Sequence, residues 1–505
     1  MPDTGATALH VAASRGSVEC VRALLDGDAD VCAPNKTGAL PLWVAAAHGH
    51  VECVEELLSA GTYVDAPDEG ECTPLYIAAA RGHVACVKAL LRAGAKAQKI
   101  DVQGTTPLHV AAEGGHVECI ALLLRAGGRL EVADDRGWTP LFCAADEGHL
   151  PALRALLKQG AKMERATGCI PLTAMYLATT CGHDECIKEL VSRGASVRTP
   201  AGEEYATPLH VAAEGGQVST VRLLLSYGAD TERRSGDGST PLHCSVLGEN
   251  ADCVRELLRH GARVDAVRSD GVTSLALACS AGDVACVEAL LQGGAQPNYI
   301  DARMPSEPPL CRAATVGSLP CVRALLAAGA DVNGHEEGGD PPLYRALKRG
   351  HVECAHELLH AGACMSEVTP SLSNALHAAV RHVACTRLLL DAGMDVRAPM
   401  GEYGSIVHKA VEGRAPTLSL LIQAGADVNA SRPGDGKRPL HTAAAYNMLP
   451  EAKALIRAGA RLDVRDLRGD SPFLTAVKYE AEDVVRLLIA SGADVNQEAI
   501  DGTCS

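Results

Sequence analysis

The stretch Thr106-Pro107-Leu108-His109-Val110-Ala111-Ala112-Glu113-Gly114-Gly115-His116-Val117-Glu118-Cys119 decides the reading, because its opening recurs. The same four residues stand at Thr207-Pro208-Leu209-His210 and Thr240-Pro241-Leu242-His243. Variants stand at Thr73-Pro74-Leu75-Tyr76, Thr139-Pro140-Leu141-Phe142 and Arg438-Pro439-Leu440-His441. With the Pro position as register there are fifteen copies, at Ala8, Pro41, Pro74, Pro107, Pro140, Ala174, Pro208, Pro241, Ser274, Pro309, Pro342, Ala375, Ile406, Pro439 and Pro472. Ten of the fourteen intervals are 33 residues, and the others are 34, 34, 35 and 31. A fixed period of this length is the mark of stacked structural repeats.

One unit explains itself physically. Thr106 is placed to cap a helix by offering its hydroxyl to an orphan amide. Pro107 follows at the first turn, where a missing N–H costs nothing. Leu108, Ala111 and Ala112 form an apolar stripe, and Gly115 breaks the helix. Val117, Cys119, Ile120, Leu122 and Leu123 continue the apolar face on a second helix, which Gly127 stops in the left-handed conformation. The register of Gly127 holds Gly in fourteen copies and Asp28 in the first. No unit buries its own apolar face, so neighbours must stack to close a core.

This period and the T-P-L-H-x-A pattern resemble the ankyrin repeat over essentially the whole chain. The resemblance implies an all-α solenoid of helix-turn-helix units joined by β-hairpin loops, running as one continuous array over residues 1–505. The copies at Ala375 and Ile406 are shortened, which places an expected bend or fraying near 366–420. The chain begins inside its first hairpin, and Asp501 to Ser505 reads as the start of another unit, so a truncated product or a covered end is expected. The resemblance also makes Asn333, Asn429 and Asn496 positions of the kind that asparaginyl hydroxylases modify in this family. The residue reading is that Asn suits the turn.

Composition agrees. Aromatic residues are 3% of the chain and hydrophobic residues 47%, so the core is Ala, Leu, Val and Cys. The formal charge of -16 disfavours nucleic acid, which needs a basic face. Residues 1–150 hold 20 acids and 11 bases, a balance of 11 − 20 = -9, and such a face would steer a basic partner. No apolar run reaches the roughly 18 residues of a membrane span. The 20 Cys, without an export signal, imply reduced thiols in cytosol or nucleus.

Two residue types tempt a catalytic reading. Cys53, Cys86, Cys119, Cys186, Cys253 and four further copies share one second-helix register with Cys20, and six of the ten form His-x-x-Cys pairs. Zinc needs four ligands converging at about 2.0–2.3 Å, whereas packed helices lie about 8–10 Å apart. The register also holds Ala152, Thr220 and Val484, so it reads as a small buried position. Histidines recur after the first-helix Leu and after the inter-helix Gly, which points to a local hydrogen bond. The acid pairs Asp134–Asp135 and Asp146–Glu147 are expected to be solvated. No nucleophile, nucleotide or metalloprotease motif is present. Neither enzyme activity nor a cofactor nor a metal is expected.

Binding should fall on positions that vary between copies, on a face that the resemblance implies is concave and built from hairpin tips and first helices. Those positions are Trp138 and Tyr205 as aromatic anchors, then Asp146, Glu147 and Glu214, the basic pair Arg233 and Arg234, Lys348 and Arg349, and Lys478 and Tyr479. The expected function is a non-catalytic protein–protein interaction scaffold for proteins or peptides. The alternative is a regulatory or substrate-recognition subunit of a larger complex such as a ubiquitin ligase.

Overall fold

A computed structural model describes residues 5–167, 170–202, 205–299, 307–365, 374–397 and 404–497. They hold thirty helices in fifteen pairs, and every first helix starts at the register residue read from the sequence. Strand is scarce. One two-stranded antiparallel ladder joins Glu164–Thr167 to Ile170–Thr173, with single bridges at Ala201–Ala206 and Val267–Thr273. Elsewhere the expected hairpins are tight turns. Side-chain oxygens add to the backbone bond that closes each: Asp134 N–H donates to Trp138 O at 2.9 Å, and Asp134 Oδ1 accepts the N–H of Arg136 at 3.0 Å and of Trp138 at 2.8 Å.

The chain divides into two compact units, Met1–Arg263 and Val264–Ser505. Each is a double row of helices. In the first unit Pro107–Glu113 packs on Pro140–Asp146, and Val117–Arg125 on Leu150–Lys158. In the second unit Ser274–Ala281 packs on Pro309–Val316, and Val284–Gln292 on Leu319–Ala327. The stripe read from the sequence is the core: Leu108, Ala111, Ala112, Cys119, Ile120 and Leu123 are at most 1% exposed. Each Leu or Ile so buried contributes roughly 1.5–3 kcal/mol.

Of the stretch near 366–420, residues 366–373 and 398–403 lie outside the described residues. The rest is irregular. The first helix Ala375–Ala379 has five residues, against the eight of Pro342–Arg349. The second helix Leu418–Gln423 has six, against the nine of Val383–Asp391.

Histidine does more than cap. In the first helices its Nδ1 accepts the N-cap backbone N–H, at 3.1 Å in Thr106–His109 and 3.2 Å in Thr207–His210. A backbone N–H only donates, so Nδ1 is unprotonated and Nε2 carries the hydrogen. That Nε2 donates to a carbonyl of the following repeat: His10 to Ala39 at 2.9 Å, His109 to Trp138 and His210 to Ser239 at 3.1 Å, His408 to Lys437 and His441 to Asp470 at 3.0 Å. The second histidine register reaches back to the preceding first helix. His50 donates to Ser14, His83 to Ala47 and His116 to Ala80 at 3.1–3.2 Å, and His351 to Thr315 at 3.1 Å. The bonds expected to be local are thus mostly bonds between repeats.

The inter-helix glycine makes the second column possible. Gly82 has φ +74°, and a Cβ there would lie 2.5 Å from His116 Nδ1. Gly94, at the end of the second helix, has φ +89° with nothing within 4 Å of a Cβ. Gly94→Ala should therefore cost only the left-handed backbone, about 1–2 kcal/mol. Gly82→Ala should cost about 1 kcal/mol more by displacing His116, a difference that paired denaturant melts would read.

Burial holds His109, His210, His408 and His441 below the ordinary imidazole range, and His377 is pushed down to about 3. Above pH about 6.5 these rings are neutral folded or unfolded, so they add no pH dependence. Below it the unfolded chain takes up protons that the folded one refuses, and stability falls. Each such ring should contribute a slope of up to about 1.4 kcal/mol per pH unit. Urea titrations between pH 7 and 5 should show the decline, and a double variant His109→Gln and His210→Gln should flatten it.

Candidate protein-interaction face

A third column ties the loops. Asp65 Oδ1 accepts the N–H of Lys96 at 3.0 Å, Glu131 Oε1 that of Lys162 at 2.9 Å and Asn333 Oδ1 that of Cys364 at 2.8 Å. Asn429 works in both directions: its Oδ1 accepts from Arg461 N–H at 2.8 Å and its Nδ2 donates to Gly459 O at 3.0 Å. These asparagines bridge repeats, beyond merely suiting their own turn. On the second-helix side, Arg22–Glu56, Arg154–Glu189 and Arg323–Glu357 are ion pairs of 2.6–2.8 Å between neighbouring repeats. Such exposed pairs add little stability.

The expected binding residues separate into committed and uncommitted groups. Trp138 is only half-exposed: the Arg136 guanidinium carbon lies 4.2 Å from its ring centroid, and Arg136 Nε donates to Asp134 Oδ2 at 2.9 Å. Asp134 is buried, not solvated, because it organises that turn. Asp146 is half-buried. Desolvation, with Glu147 beside it, pushes its carboxyl above the usual range, and it accepts the Cys181 S–H at 3.8 Å. Tyr205 is 55% exposed with φ +52°. Glu147, Glu214, Arg233, Arg234 and Arg349 are exposed. Arg233 lines a cleft of about 270 Å³ with Arg198, Thr207 and Asp230.

Lys348 and Lys478 occupy one register and make one contact. Lys348 Nζ donates to Asp340, and Lys478 Nζ to both Asp470 oxygens at 2.7 Å. The sequence reading missed these partners, although each Asp stands eight residues before its Lys. It also missed Arg345, which is held by Glu307 of the preceding repeat and by Glu336, and whose Nε donates to Asp340 O at 2.8 Å. Its side chain is 17% exposed, so this cation serves the fold. Tyr446 was missed too. It is 65% exposed, one 33-residue period before Tyr479, which is 57% exposed.

The cysteine register is core. Cys53, Cys86, Cys119, Cys186, Cys253, Cys286, Cys321, Cys354 and Cys385 are buried, whereas Cys20 is exposed. Burial pushes the Cys86, Cys119 and Cys253 thiols up to about 11. Among the described residues no group of three or more His, Cys, Asp or Glu could hold a metal ion. No helix among them is long and apolar enough to cross a membrane.

A family model described as ankyrin repeats matches residues 1–68, 75–167, 164–235, 228–301, 310–400 and 406–499. The chain belongs to the ankyrin-repeat family. It is similar to cyclin-dependent kinase 4 inhibitor B of Bos taurus, 39% identical over 124 residues, which are 24% of this chain and 92% of that protein. It is also similar to cyclin-dependent kinase inhibitor 2A of Homo sapiens, 37% identical over 130 residues, or 26% of this chain and 83% of that one. The solved human ASB11 ankyrin repeat domain is 30% identical and covers 45% of this chain and 99% of its own, with a TM-score of 0.41. Ankyrin repeats mediate protein–protein interaction, and the two sequence relatives are named as inhibitors of a kinase.

Two outcomes follow from the geometry. With a thiol reagent at pH 8, exposed Cys20 should react within minutes, Cys181 more slowly because desolvation and Asp146 push its thiol up, and the buried register only on unfolding. Arg345→Ala should leave Glu336 without this cation and Glu307 with Arg312 alone, 3.9 Å away, and cost about 1–3 kcal/mol in a thermal or urea melt.

Proposed function

We propose that this chain is a non-catalytic interaction scaffold of the cytosol or nucleus, taking partner proteins along the face of first helices and hairpins. The observation that carries the reading is a division of labour. Repeats are joined through the histidine, loop and second-helix columns. Glu113, Glu147 and Glu214, exposed at the ends of three first helices, make no ion pair among the described residues. Carboxylates left free on a row of stacked helices favour a basic partner segment and speed its capture. The cyclin-dependent kinase inhibitors are named for inhibiting an enzyme, and a relative that acts by inhibiting another protein supports this mode of action.

Affinity capture from cell extract tests the proposal. A Glu113→Lys, Glu147→Lys, Glu214→Lys variant should lose at least ten-fold of the partners that wild type retains. A control with Glu118→Lys and Glu185→Lys, on second helices, should keep them. Retention by the first variant, or equal loss from both, would contradict the assigned face.

A further inference from the structure

A second site lies in the Val264–Ser505 unit. Glu412, Arg432, Lys437, Thr442, Tyr446 and Tyr479 line a cavity of about 160 Å³ that three successive repeats contribute to. A water molecule takes about 30 Å³, so a ring-sized group fits. The tyrosine rings stand at one register of neighbouring repeats, 65% and 57% exposed. Buried Thr442, 4% exposed, carries a hydroxyl with no hydrogen-bond partner. An orphaned buried hydroxyl costs about 1–3 kcal/mol, which a ligand that bonds to it relieves.

The charges are already matched. Arg432 donates to Glu412 and to Asp435 at 2.9 Å, and Lys437 Nζ lies 3.8 Å from Asp435. Two cations face two carboxylates, so the cavity selects for a neutral occupant. What the walls lack is an acceptor for the Thr442 hydroxyl, together with an apolar body to pack against the tyrosine rings.

We infer that this cavity binds a proline-containing extended segment of a partner protein. Proline supplies both missing parts. Its ring is a compact apolar body, and its amide offers a carbonyl acceptor without an N–H that would need a partner in the cavity. Exposed tyrosines dock such segments by stacking and by donating to their carbonyls. The assignment rests on the interaction reading above, but concerns other residues in the other unit.

The test uses the full chain with fluorotyrosine in place of tyrosine, and a capped ten-residue oligoproline as probe. The fluorine resonances assigned to Tyr446 and Tyr479 by single substitution should shift and saturate. A capped Gly-Ser peptide and a capped oligolysine of equal length should leave them unmoved. Tyr446→Ala should weaken binding at least ten-fold. Thr442→Val keeps the shape and should weaken it about three- to ten-fold without lowering the melting temperature, which separates loss of the hydroxyl from loss of fold. No shift at millimolar oligoproline, or the same affinity in Tyr446→Ala, would overturn the assignment. If oligoproline fails while the Glu113, Glu147 and Glu214 variant still loses its partners, this cavity is wrong and the interaction reading stands.

Discussion

Stacking short helices exposes helix-end carbonyls and N-cap amides at every repeat, and each must find a partner before the stack can be dry. Histidine answers this from two registers. One ring takes its own N-cap amide at Nδ1 and gives its Nε2–H to the next repeat, as His109 does to Trp138 O. Another gives its Nε2–H to the preceding first helix, as His116 does to Ala80 O. Seven of the fifteen first helices carry the first histidine, and in others a Thr or Ser cap alone takes the amide, as Thr73 does from Tyr76. The inter-helix glycine must stay bare so that the ring can enter, and the cysteine register must stay small so that the helices approach.

That arrangement leaves a predictable remainder. Positions consumed by caps, bridges and core carry no freedom to recognise anything. Positions at the ends of first helices and on the loops do. In the first unit the remainder includes the carboxylates of Glu113, Glu147 and Glu214 beside Tyr205 and Arg233; in the second it includes a pair of tyrosines beside matched charges. One fold therefore presents chemically different surfaces at different repeats, set by the residues that differ between copies.

Helix starts, stops and core were legible because they depend on residues close in sequence. Thr106, Pro107 and Gly127 announce a cap, a first turn and a stop within 22 residues. Contacts made across the stack were not legible in that way. Asn429 read as a turn residue, yet its partners Arg461 and Gly459 are thirty or more residues on. Arg345 gave no signal, because Glu307 and Glu336 become its neighbours only after folding. Trp138 looked like a free anchor until Arg136 was seen lying over it. Tyr446 could have been found by arithmetic, by stepping one period back from Tyr479. The hairpin tips are closed within a few residues, by a backbone bond such as Asp134 N–H to Trp138 O and by a side-chain oxygen such as that of Asn35 or Asp134, so little strand extends beyond them.

On the proposed function, partners meet the first-helix and loop side and leave the second-helix side bare. A photoreactive amino acid placed singly at Glu147 and Tyr446, and at Glu118 and Glu451 on second helices, tests it most directly in living cells. The account requires crosslinked partners from Glu147 and Tyr446 and none from Glu118 or Glu451. Crosslinks that arise from the second-helix positions, with the first two silent, would contradict it.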